Sequence, residues 1–327
     1  MALASYLLLA IYAPAPLQAA VINVSAPSVI LLDNANHIVY SKTPHLRRAP
    51  ASTTKILTAM VALDHLRGDQ IVKIPAFVTS IEPSKIYIKP GERYYVRDLV
   101  KATLINSAND AAETLAHAAG GSRAGFAKMM NRKARSLGAN SSNFVRASGL
   151  PAQNQYSTAY DMALIMRAAE KYPFIVQTMQ TRNGAIRSVA GRRLYLHNHN
   201  RMLGRIMGKT GWTRAARHCF VGSINLPSNR RVFVAMLGSH RLWRDLKTLV
   251  DSQVGRSISK KARILPNVKA TPVQVQRQLK RAGYYSGRID GILGSRSAQA
   301  IRRFQSAHGL GADGVVGPAT WKKLRRF

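Results

Sequence analysis

Pro50-Ala51-Ser52-Thr53-Thr54-Lys55-Ile56-Leu57-Thr58-Ala59-Met60-Val61-Ala62-Leu63 is the stretch on which the reading of this 327-residue chain turns. Proline followed by apolar residues at helical spacing (Ile56, Leu57, Met60, Val61, Leu63) predicts a helix over residues 51–66. Ser52 and Lys55, at i and i+3, then share one face of its first turn, about 5–6 Å apart. A serine hydroxyl is a weak nucleophile until an adjacent base takes its proton. Lysine is such a base only where burial or neighbouring cations lower its pKa. Alone the motif is weak, because a capping serine with a surface lysine reads the same, and Ser257 with Lys260 repeats the spacing.

Two further motifs supply what the pair lacks. Ser107-Ala108-Asn109 runs into Asp110-Ala111-Ala112-Glu113, whose Asp-x-x-Glu form predicts a capping box and so a loop entering a helix. A serine there can pass a proton to a leaving amine, and an asparagine amide can hold a substrate amide. Lys209-Thr210-Gly211 lies in the β-prone run 206–213. Its ammonium and hydroxyl suit a carboxylate, and its glycine allows a substrate backbone to approach the strand. Ser-x-Asn recurs at Ser141 with Asn143 and at Ser223 with Asn225, whereas Lys-Thr-Gly occurs once. Only the ordered set holds a nucleophile, a base, a proton relay and a carboxylate clamp.

Outward from these motifs, the runs 29–32 and 37–41, joined by Asp33-Asn34-Ala35-Asn36, predict a hairpin. A mostly helical middle follows over about 98–180, then β-prone runs at 206–213, 218–225 and 231–238 and an amphipathic helix at 242–254. Strands at both ends of a helical middle imply an α+β domain over 21–255, an antiparallel sheet flanked by helices. Residues 256–270 are polar and basic and read as a linker. In the remaining segment, 271–327, Thr271 caps and Pro272 opens a helix that ends near Gly283. Asp290-Gly291-Ile292-Leu293-Gly294-x-x-Ser297 recurs 23 residues later as Asp313-Gly314-Val315-Val316-Gly317-x-x-Thr320. Each copy is a Gly-bearing loop entering a helix, so three small helices around one core are expected.

Charge narrows the setting. Lys and Arg number 49 against 14 Asp and Glu, a net +35, and such a surface attracts polyanions of any kind. Nucleic acid is the usual partner of a basic protein, but residues 1–20 read as an export signal. There an apolar run over 3–13 precedes Pro14-Ala15-Pro16 and Ala19-Ala20. No Lys or Arg precedes the run, and it is shorter than the about 20 residues a spanning helix needs. Outside the cytoplasm the available anionic polymer is the cell envelope, so no nucleic-acid partner is expected; membrane association is left open. The single Cys219, in Cys219-Phe220-Val221, is expected as a buried hydrophobe, since an internal disulfide needs a partner. His197-x-His199 lacks a metal-ligand spacing, so neither a metal site nor a cofactor is expected.

Pro50-Ala51-Ser52-Thr53-Thr54-Lys55, Asn106-Ser107-Ala108-Asn109-Asp110-Ala111-Ala112 and Lys209-Thr210-Gly211-Trp212-Thr213 resemble the signature of the penicillin-binding serine D-Ala-D-Ala carboxypeptidases. The hairpin, the Asn198-x-Asn200 pair and the late strand ending in Leu237-Gly238 extend the resemblance over nearly all of 25–252. It implies a β-lactamase/transpeptidase-like fold acting on peptidoglycan stem peptides, with β-lactams as inhibitors. By that resemblance Ser52 would attack the penultimate D-alanine carbonyl with Lys55 as base. Ser107 would protonate the departing D-alanine, and water would release the acyl-enzyme. Lys209 and Thr210, ahead of Gly211, would bind the substrate carboxylate, and Asn109 its backbone. The oxyanion would rest on the backbone N–H groups of Ser52 and Trp212.

A DD-endopeptidase, a β-lactamase and a catalytically inactive wall-binding protein are the alternatives on this fold. Glu170, the candidate for a β-lactamase glutamate, lacks the asparagine four residues on, where Phe174 stands. Gly208 and Trp212 are atypical for the resembled family, and Arg217 stands where glycine is common. Residues 273–324 resemble the peptidoglycan-binding domain type 1 family through Gln276-x-x-Leu279, Asp290-Gly291, Ala300-Ile301-x-x-Phe304-Gln305 and Asp313-Gly314-x-x-Gly317. From 260 to 327 fifteen basic residues face two acidic ones, which favours attraction to an anionic wall, screened by salt. The expected location is the periplasm or cell wall.

Overall fold

Side chains on a strand alternate between faces, and the first strand shows what that alternation builds. In β1 (Ser28–Asp33) Ile30 and Leu32 enter one hydrophobic core while Val29 and Leu31 enter another. The sheet is therefore covered on both sides. The computed structural model describes residues 22–226, 230–253, 263–265, 268–312 and 314–327; the expected export signal and most of the expected linker lie outside them.

β1 forms a hairpin with β2 (Ile38–Lys42), and a 3-10 turn (Ala51–Thr54) leads into α1 (Lys55–His65). Short strands β3 (Ile71–Lys73) and β4 (Arg93–Tyr95) pair ahead of α2 (Val96–Ile105). Then come α3 (Asn109–Gly120), α4 (Arg123–Ser136), α5 (Ala159–Ala169) and α6 (Pro173–Gln180). A second small hairpin joins β5 (Asn183–Arg187) to β6 (Arg193–His197). β7 (Met207–Thr213), β8 (Arg217–Leu226), β9 (Arg230–Ser239) and α7 (Leu242–Gln253) complete the domain. The main sheet runs β2-β1-β9-β8-β7, antiparallel throughout. Its first strand thus pairs with its last, and its edges come from distant parts of the chain.

One face of the sheet packs on α5, and α1 lies among the helices of the same core, its Ile56, Leu57, Ala59, Met60, Val61 and Ala62 all buried. A helix that is apolar all round belongs inside a domain, and α1 accordingly carries Lys55 into the interior. The other face is covered by Leu242, Leu246, Leu249 and Val250 of α7, the i, i+4, i+7, i+8 stripe of an amphipathic helix.

Three local expectations are corrected. The helix over 51–66 starts as a 3-10 turn. The β3–β4 pair and the β5–β6 hairpin carry no strong sequence signal and were not expected. Asp110 and Glu113 form no capping box: α3 begins at Asn109, and Ala108 caps it without a side-chain bond. The buried Asp110 carboxylate instead accepts from the N–H groups of Ile86, Ile88 and Ala111. Glu113 accepts from Ser148. Distant donors have claimed both carboxylates.

In the C-terminal segment β10 (Arg263–Ile264) runs parallel to β11 (Val315–Val316), around α8 (Pro272–Arg281), α9 (Ser295–Ala307) and α10 (Pro318–Leu324). Leu265 donates its N–H to Val316, and Val268 is buried in this core. Residues 263–265 and 268 therefore belong to the small unit and not to a linker, because a strand register and a core position hold them. Thr271 caps α8 in a complete capping box with Gln274. The internal repeat has a shared anchor. Gln276 on α8 accepts from Gly291 N–H, and Gln305 on α9 accepts from Gly314 N–H, both at 2.9 Å. Each buried glutamine also donates to its own loop, to Ile292 O and to Val315 O respectively.

Candidate active site

Ser52 is placed by two close backbone approaches. Ala51, just before it, takes a left-handed φ of +48°, a conformation that costs an L-residue about 1–2 kcal/mol. Gly149 (φ +77°) rests on that turn: a Cβ there would lie 2.0 Å from Ala51 O. On the other side Gly211 of β7 approaches so closely that a Cβ would lie 2.9 Å from Ser52 N. The glycine of the third motif is thus required by the turn around Ser52, a reason the sequence did not show.

Lys55 is fully buried. Its Nζ donates to Ser52 Oγ at 2.9 Å, to Asn109 Oδ1 at 2.7 Å and to the Ser148 carbonyl at 2.6 Å. Burial, first, and the Lys209 charge, second, push its pKa well below the ordinary lysine range. A neutral amine keeps two N–H bonds and one lone pair. The amide oxygen and the carbonyl can only accept, so they take both hydrogens and leave the lone pair for the Ser52 hydroxyl. Lys209 is also buried, donates to Thr210 O at 3.0 Å, and is pulled down to about 7 by burial.

Ser52, Ser107, Asn109, Thr210, Gly211 and Trp212 line a single cleft of about 510 Å³, with Lys55 and Lys209 buried. Ser107 takes φ +59°, and its hydroxyl has no hydrogen-bond partner among the described residues. Asn109 is more constrained than its expected role requires: its Nδ2 donates to Glu82 O at 2.8 Å while Oδ1 receives Lys55. One amide hydrogen remains for a ligand. Glu82 is itself gripped by Arg146 through both carboxylate oxygens.

Sequence reasoning passed over His199, which lines the same cleft. Asn198 and Asn200 are buried and donate to Met179 O, Thr181 O and Ile206 O. With both neighbours turned inward, His199 is turned toward the cleft. Crowding by the protein, then the Lys209 charge, favour its neutral form. The i, i+2 asparagines were the available signal.

Arg217, the departure from the resembled family, lies outside the cleft lining and is exposed. Its φ of +58° explains why glycine suits this turn between β7 and β8. Arg217→Gly is expected to stabilise the protein by about 0.5–1 kcal/mol, the strain relieved exceeding the entropy glycine adds. Thermal unfolding measures this, acylation should be unchanged, and a lowered Tm would contradict it. Cys219 is buried, its thiol pushed up to about 11 by desolvation, which makes it inert.

The five-stranded antiparallel sheet, its helical cover and the cleft between β7 and the Ser52 turn define the penicillin-binding/transpeptidase fold. A crystal structure of a D-alanyl-D-alanine carboxypeptidase from Mycobacterium tuberculosis matches with TM-score 0.67 at 33% identity, covering 72% of this chain and 93% of that one. A Streptomyces DD-transpeptidase matches with TM-score 0.65 at 25% identity, covering 70% and 97%. This chain belongs to the D-alanyl-D-alanine carboxypeptidase family, which matches residues 15–240, and residues 270–324 match the putative peptidoglycan binding domain. It is 32% identical over 224 residues to the carboxypeptidase DacF of Bacillus subtilis, covering 65% of this chain and 57% of DacF. It is 36% identical over 208 residues to a D-alanyl-D-alanine endopeptidase of Escherichia coli, covering 61% of this chain and 66% of that protein.

Proposed function

We propose that this protein is a penicillin-sensitive serine D-alanyl-D-alanine carboxypeptidase that trims peptidoglycan stem peptides. The observation that carries the reading is the Lys55 amine, buried and bound to two acceptor-only partners with its third position on Ser52 Oγ. Ser52 Oγ forms a bond to the penultimate D-alanine carbonyl carbon as its proton passes to Lys55. The tetrahedral oxyanion rests on the backbone N–H groups of Ser52 and Trp212. As the peptide bond breaks, the D-alanine amine takes a proton through Ser107. Water then hydrolyses the ester and restores Ser52. Lys209 and Thr210 hold the terminal carboxylate.

No carboxylate lines the cleft among the described residues. Glu170 lies elsewhere, bound to Ser223 and Arg231 beside a separate cavity. A penicilloyl ester on Ser52 therefore lacks a carboxylate base to activate water, which favours inhibition over β-lactamase turnover. The apolar run at 3–13 supports export, and among the described residues no helix is long and apolar enough to cross a membrane. The C-terminal unit and its basic surface would hold the enzyme on the wall.

The test compares release of D-alanine from a pentapeptide, cleavage of a cross-linked peptide dimer and turnover of nitrocefin, with Ser52→Ala alongside. Rapid pentapeptide trimming, slow dimer cleavage and a stable penicilloyl adduct are expected. Preferential dimer cleavage would make the enzyme an endopeptidase, and the absence of any adduct on the wild type would reduce it to a wall-binding protein.

A further inference from the structure

The Ser148 carbonyl that receives Lys55 is not held by its loop alone. Glu113, on α3 and 3% exposed, accepts from Ser148 N–H at 3.1 Å and from Ser148 Oγ at 2.6 Å, both through Oε1. A continuous chain of contacts therefore runs from a buried carboxylate through Ser148 to Lys55 Nζ and Ser52 Oγ. We propose that Glu113 is a positioning residue that fixes the Ser148 carbonyl on Lys55 and supplies the countercharge to its ammonium. This rests on the reading of Ser52 and Lys55 as nucleophile and base.

The loop has other fastenings, which makes the contribution of Glu113 specific. Thr58 donates to Ala147 O at 2.7 Å, and Gln155 receives the N–H groups of Val145 and Arg146. Those bonds set the path of the backbone. Glu113 holds the residue whose carbonyl meets the amine through two donors of that residue, and the Leu150 N–H adds a longer bond of 3.4 Å to Ser148 Oγ. Charges reach Lys55 from several elements: Lys209 from β7, Arg146 from the loop before α5, and Asp110 with Glu113 from α3. His199 at the cleft also senses it. Lys209 and Arg146 favour the neutral amine, while the two carboxylates favour the ammonium. Asp110 is spent on three backbone N–H groups, which disperse its charge. Arg123 stands 3.9 Å from the far oxygen of Glu113, but it is 55% exposed and largely screened.

Glu113→Gln keeps an acceptor oxygen for Ser148 and removes the charge. Lys55 then releases its proton more readily, so the rising acid limb of Ser52 acylation moves to lower pH by about one unit. Glu113→Ala removes the acceptor as well. The Ser148 carbonyl drifts, and acylation falls by about 10²-fold at every pH. The measurement is the acylation rate of the full chain by a fluorescent penicillin across pH. A Glu113→Gln limb that coincides with the wild type overturns the proposal, whatever the alanine variant does. If neither variant folds, Ser148→Ala, which removes only the Oγ donor, should slow acylation severalfold, and an unchanged rate there overturns it too. Ser52→Ala keeps the two readings apart. An adduct that survives in Ser52→Ala strikes at the nucleophile; an adduct confined to Ser52 with an unmoved limb strikes only at Glu113.

Discussion

Lys55→Met should slow acylation by a penicillin about 10³-fold, the middle of the range that a positioned general base supplies. Methionine is one atom shorter than lysine but unbranched and apolar, so it fills most of the space beside α1. The Asn109 amide oxygen and the Ser148 carbonyl lose their donor, each at a cost of about 1–3 kcal/mol. Relief from burying a polar amine offsets part of that cost. The variant should therefore fold, and its defect should be chemical. The wild-type pH profile carries the same logic with a definite sign. As the proposed base Lys55 would work only when neutral, so acylation should rise as pH climbs through its depressed pKa. As the proposed carboxylate clamp Lys209 would act only when charged, and burial holds it at about 7. In the free enzyme kcat/KM for a carboxylate-bearing substrate should therefore decline above about pH 7. A substrate without that carboxylate should lose the alkaline limb. A Lys55→Met rate within tenfold of wild type would contradict the base assignment, and a carboxylate substrate whose rate keeps climbing past about pH 9 would contradict the clamp.

What was legible beforehand follows from how far each signal travels along the chain. The β1–β2 hairpin, the amphipathic α7 and the Thr271 cap of α8 are written within a few residues, as alternation, periodicity and cap chemistry. The same local rules failed at Asp110 and Glu113, where a cap-like spacing was overridden by backbone donors 24 and 35 residues away. They were silent on the packing of Gly211, whose neighbour is the turn around Ser52, far off in sequence. The three motifs could be seen but not their joints. Ser148, which closes the lysine's coordination, presents its backbone carbonyl, a group every residue carries. His199 was hidden differently: histidine pairs are read for metal spacing, while its placement is decided by the asparagines flanking it.

Gly149→Ala is the backbone change with the largest expected effect, and it separates two ways of holding Ser52. The new Cβ would sit 2.0 Å from Ala51 O, 2.6 Å from Ala51 C and 3.0 Å from Thr54 Oγ1, on a residue held at φ +77°. Backbone strain of about 1–2 kcal/mol adds to overpacking of about 1–3 kcal/mol. The native turn cannot retreat easily, since the Ser148 carbonyl is bound to Lys55 and the Ser148 N–H to Glu113. The predicted loss is about 2–5 kcal/mol of stability, with acylation lowered by about 10²-fold as Ser52 is displaced from Lys55. Gly211→Ala makes the contrast. It meets Ser52 N at 2.9 Å but lies on a strand with no left-handed torsion, so it should cost about 1–3 kcal/mol from overpacking alone. Both variants should acylate slowly, and only Gly149→Ala should be far less stable. Thermal unfolding paired with penicillin acylation reads both quantities. A Gly149→Ala protein with wild-type Tm and rate would mean that the loop yields freely, and that the left-handed Ala51 is maintained by something other than the pressure of Gly149 against it.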